Sequence, residues 1–73
     1  HVMPKYQVGD KVKLVKHLHK WSLLYRSIGD STGKILSHYI YTFRNDEEVN
    51  YYEIKFDKSM QTYLYRETDL EKV

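Results

Sequence analysis

The chain has 73 residues, a formal net charge of +2, no cysteine, a single proline and eight tyrosines. This length makes one domain that buries only roughly 60% of its unfolded surface, so its stability is expected to be marginal. The missing cysteines exclude a disulfide framework and thiolate metal ligands, and they point to a reducing, cytoplasmic setting. The longest uncharged apolar run is far short of the ~20 residues a bilayer span needs.

His1-Val2-Met3 reads as a vector remnant or a disordered start, which leaves 4–73 as the domain, and no signal-peptide pattern is present. Pro4 to Gln7 forms an extended lead-in. Val8-Gly9-Asp10 makes a turn, with Gly9 free to take positive φ, and Lys11 to Lys16 alternates as a strand with Val12 and Leu14 facing the core. From His17 to Ile28 the apolar residues at 18, 21, 24, 25 and 28 take helix-like spacing, but the segment is barely three turns long and has no strong N-cap. A long loop is expected instead, folded over one mouth of a small β-barrel and pinned by Trp21, Leu24 and Ile28. Connections of this kind often carry function.

Gly29 to Gly33 is the next turn. Two runs rich in β-branched and aromatic residues follow, 33–43 and 49–56, on either side of the polar break Arg44-Asn45-Asp46-Glu47-Glu48. They predict a long antiparallel hairpin. In the second run Tyr52, Ile54 and Phe56 go inward. In the first, neither alternate set is cleanly polar, so a bulge that switches the faces, or a strongly bent strand, is expected. Residues 57–60 turn into a strand at 61–65, 66–69 fit a 3₁₀ turn with Leu70 tucked underneath, and Lys72-Val73 close a last short strand.

Four stretches carry a family resemblance: Val8-Gly9-Asp10-Lys11-Val12, Gly33-Lys34-Ile35, Tyr52-Glu53-Ile54-Lys55-Phe56-Asp57 and Tyr65-Arg66-Glu67-Thr68-Asp69-Leu70. In this order they resemble the small bacterial SH3-like barrels, the group that includes KOW-type and Tudor-like modules. The resemblance spans most of 6–73 apart from an insert at 17–28, and only part of the KOW glycine pattern is present. It implies an all-β, SH3-like β-barrel of about five antiparallel strands, with a long loop after the first strand and a 3₁₀ turn before the last. It does not select among nucleic-acid, peptide and subunit binding.

Catalytic and metal chemistry find little support. His17 and His19 with His38 lack a further ligand at motif spacing. None of the serines sits in a nucleophile elbow or beside a paired base. Gly29-x-x-x-Gly33-Lys34 is too short for a phosphate loop and reads as a turn that opens a strand. No enzyme activity, cofactor or small-molecule substrate is expected.

Charge is unevenly placed. Residues 1–44 hold eight Lys/Arg against two acids, whereas 45–73 hold four against eight. Clustered cations neutralise phosphates, and exposed rings stack on single-stranded bases. The first expectation is therefore a nucleic-acid-binding face built from Lys11, Lys13, Lys16, Lys20, Trp21, Tyr25, Arg26 and Lys34. The alternative follows from the resemblance, because SH3-like barrels bind peptides across aromatics of the first long loop and later turns. Here those are Trp21, Tyr25, Tyr51 and Tyr63, with Glu47 and Glu48 as a rim for a basic peptide. A Tudor-type cage for a methylated cation would use the same geometry but has nothing to fix three rings around one point.

Overall fold

A computed structural model of the chain describes residues 3–16, Ile28 and 31–73. The described residues form one antiparallel sheet of five strands: β1 (Lys11–Leu14), β2 (Gly33–Thr42), β3 (Glu48–Phe56), β4 (Thr62–Arg66) and β5 (Leu70–Lys72). A 3₁₀ turn, Glu67–Asp69, joins β4 to β5. The five antiparallel strands and the 3₁₀ turn before the last are those expected; their order is β4-β3-β2-β1-β5, so β4 and β5 are edges and the hydrogen-bonded sheet does not close. The expected loop at 17–28 lies outside the described residues except for Ile28, which is fully buried in the core.

Alternation explains β1 and β3. Val12 and Leu14 are buried in the first, and Asn50, Tyr52, Ile54 and Phe56 in the second, while the residues between them face out. β2 breaks the pattern because its register against β3 shifts between Ile35 and Ser37, leaving Leu36 as an extra residue. Before this bulge Gly33 and Ile35 lie opposite Phe56 and Ile54. After it, His38 lies opposite Tyr52 and Ile40 opposite Asn50. Directly opposite residues share a face, so the bulge changes which parity of β2 points inward. Tyr39 and Tyr41 are thereby sent to the outer face, opposite Tyr51 and Val49. The hairpin turns on Asp46, which takes φ 65, a conformation that aspartate tolerates better than most residues.

The core gathers Tyr6, Val12, Leu14, Ile28, Ile35, Tyr52, Ile54, Phe56 and Leu70, with Tyr63 and Tyr65 packed against it. Gly33 lies beneath this cluster. A Cβ there would stand 2.5 Å from Ile54 Cγ2 and 2.9 Å from Phe56 Cδ1. Glycine at this point is a packing requirement, and β2 starts at Gly33, one residue before the Lys34 start expected from the 29–33 turn.

Tyr6, in a lead-in with no periodic signal, is as buried as the core strands. Its ring meets Tyr52 edge-on at 5.5 Å, and its hydroxyl donates to the Leu70 carbonyl at 3.1 Å. The Tyr52 hydroxyl accepts from the Tyr6 amide at 3.3 Å and donates to Glu67 Oε2 at 2.7 Å; the same carboxylate oxygen accepts from the Lys5 amide at 3.0 Å. The lead-in, β3, the 3₁₀ turn and β5 are thus tied together where the sheet itself does not close. Burial first, and then the bond to Glu67, push the Tyr52 pKa up to about 12 from its ordinary value of 10.

Two outcomes follow from this packing. Gly33→Ala overpacks the core and should lower the unfolding free energy by about 1–3 kcal/mol in urea titration. Tyr52→Phe should be the less stable protein at neutral pH by about 1.5–3 kcal/mol, the usual worth of a hydrogen bond to a charged group. A raised folded-state pKa means that the folded protein holds the hydroxyl proton more tightly than the unfolded chain does. Its stabilising contribution is complete below pH 10 and is lost as pH rises towards about 12. The stability gap between the wild type and Tyr52→Phe should therefore shrink over that interval, and a gap that stays constant would refute the assignment.

Candidate nucleic-acid interface

The register places three lysines side by side on the outer face. Lys11 on β1 is directly opposite Lys34 on β2, and Lys34 is directly opposite Lys55 on β3. Facing residues on neighbouring strands lie about 5 Å apart, and like charges so placed are destabilising. Lys55 turns its ammonium onto the backbone carbonyls of Phe56, at 2.9 Å, and of Ser59. Lys11 and Lys34 are exposed.

The other residues expected at this face are placed differently. Lys13 lies opposite Glu71 and forms an exposed ion pair with it at 3.7 Å, so its charge is partly offset. Lys16 is exposed just past the end of β1. Lys20, Trp21, Tyr25 and Arg26 lie outside the described residues, as do His17 and His19. His38, the third histidine considered for a metal, sits on the inner face with Nε2 2.8 Å from Asn50 Oδ1. No group of three potential metal ligands occurs among the described residues, and no described helix is long and apolar enough to cross a membrane.

Further along the same outer face the chemistry changes from cationic to aromatic. Tyr39 and Tyr51 form one cross-strand pair, with Arg66 of β4 opposite Tyr51, and Tyr41 and Val49 form the next. Tyr41 meets Phe43 edge-on at 4.7 Å and Tyr51 at 6.3 Å. These rings line a groove of about 740 Å³ at the hairpin end, together with Arg44, Glu47 and Arg66. Tyr41 is 56% exposed and Leu64, on the same face of β4, 57%. Arg66 is held in place by a fork to Asp69, Nε to Oδ2 and Nη2 to Oδ1, both at 3.3 Å. The hydrogen bond to Asp69, and then that carboxylate's charge, raise the Arg66 pKa. The acid on this face between the two zones, Glu53, accepts from Thr62 Oγ1 at 3.0 Å.

Of the residues expected for a peptide site, Tyr51 and Glu47 meet in the groove. Glu48 opens β3 opposite Thr42. Tyr63 is elsewhere: it lies opposite Ile54 and packs on Phe56, with ring centroids 6.3 Å apart. Sequence reasoning did not single out Tyr39, Tyr41, Phe43 or Lys55 as site residues. Their types were visible, but their common face is fixed by the bulge and the register. No protein-family model, curated protein or solved structure matches the chain.

Proposed function

We propose that the chain is an SH3-like barrel acting as a non-enzymatic binding module, and that it associates with nucleic acid through the outer face of its sheet. The fold reading is supported by the strand order, by the 3₁₀ turn between β4 and β5, and by the positive φ of Gly9 in the turn before β1. The functional reading is carried by one observation, the cross-strand row Lys11–Lys34–Lys55. Lys11 and Lys34, set against each other at a cost to the free protein with Lys55 beside them, are relieved by a polyanion laid across the row, because each neutralised phosphate releases condensed counterions.

The peptide-adaptor reading gains the meeting of Tyr51 and Glu47 in the groove, but Tyr63 is turned into the core packing. The lysine row is the more specific feature.

Binding to an oligonucleotide should weaken linearly in log salt, with a slope of about −2 for three phosphates contacted on a single strand. Lys11→Glu combined with Lys34→Glu should abolish it, whereas Lys13→Glu alone should cost less, since Glu71 already offsets that charge. Fluorescence anisotropy across a salt series measures both effects. Salt-independent binding, or full retention by the double variant, would rule out the lysine row as the contact.

A further inference from the structure

The lysine row occupies only one end of the outer face, and its chemistry does not account for the other. From Lys34 to Tyr41 the strand advances roughly 20 Å, and over that length the face passes from ammonium groups to exposed rings. Tyr39 and Tyr41 are two residues apart on one face, which separates them by about 7 Å along β2. Phe43 extends the series beyond the strand end, and its edge-on contact with Tyr41 fixes the two rings relative to each other. Arg44 and Arg66 flank them in the groove. The hairpin carries these rings past the buried cluster: its inward residues beyond Tyr52 include Asn50 and Ile40, and Ile40 is 43% exposed.

Building on the nucleic-acid reading above, we infer that the partner is a single-stranded nucleic acid: its phosphates follow Lys11, Lys34 and Lys55 while its bases stack on Tyr39, Tyr41 and Phe43. A duplex keeps its base faces stacked inside, so it can use the lysines but not the rings. A single strand offers both groups at once, and base–aromatic stacking tolerates any sequence because every base has a π-face. The cations on the same face select a polyanion over a neutral apolar partner. Asp46 at the hairpin tip, beyond Phe43, repels phosphate and marks where the bound strand leaves the surface.

The test compares a labelled single-stranded oligothymidylate of about 12 nucleotides with a duplex of the same length, using the full chain at low salt. The single strand should bind at least tenfold more tightly. Tyr41→Ala and Phe43→Ala should each weaken single-strand binding roughly tenfold, with duplex binding and the salt slope unchanged. Ile40→Ala removes comparable apolar surface from the opposite face of the same strand and should leave both affinities as they were; thermal melts of all three variants check folding. Equal affinity for the two probes, with ring variants that bind normally, would overturn the stacking inference and leave the lysine reading standing. No binding to either probe would overturn both, and binding of a basic peptide that is lost in Tyr41→Ala would then assign the groove to a protein partner.

Discussion

One residue too many in β2 governs how this molecule presents itself. Without Leu36 as an insertion, the inward parity that begins at Gly33 and Ile35 would continue through Ser37, Tyr39 and Tyr41, turning the tyrosines to the inner side. With it, His38 is delivered to the inner side against Tyr52, their ring centroids 5.1 Å apart, and the tyrosines are released to solvent. The extra residue also increases local twist, which lets a ten-residue strand serve the core at one end and project beyond it at the other. The surface on which cations and rings lie in one line is a product of that single irregularity.

The remaining stability problem is the gap between β4 and β5. Edge strands offer unpaired backbone groups, and short edges are one way to limit unwanted pairing. Here they are five and three residues long. Side chains add ties of their own. Tyr6 enters the core, and its hydroxyl reaches Leu70 while Tyr52 reaches Glu67, so two phenols bind the lead-in and β3 to the chain that runs from the 3₁₀ turn into β5. A domain this small has little stability in reserve, and such a polar tie at the seam orders the lead-in, the 3₁₀ turn and the last strand together.

Much of this was legible in the residues themselves. Val12 and Leu14, and Tyr52, Ile54 and Phe56, announced their faces because period-two alternation is preserved along β1 and β3. The mixed pattern of β2 announced an irregularity, which the register between Ile35 and Ser37 confirms. Tyr6 was not legible: an isolated tyrosine between Lys5 and Gln7 has no periodicity to betray burial. Nor was Asn50, whose polar type argues for the surface while its bonds to His38 and the Met3 carbonyl satisfy it inside. For the proposed face, Lys11 and Lys34 were visible as cations by residue type alone. Lys55 could join them only once strand register was known, since 21 residues of sequence separate it from Lys34. The rings of Tyr39 and Tyr41 were hidden for the reason the bulge supplies.

The tight seat of Gly33 under Ile54 and Phe56 has an evolutionary corollary. Residues in direct contact do not change independently, so a side chain could be acquired at position 33 only alongside a smaller residue at 54 or 56. The three sites should drift through sequence space as a coupled unit, and a distant descendant of this fold would keep the glycine or lose bulk on β3 in the same step.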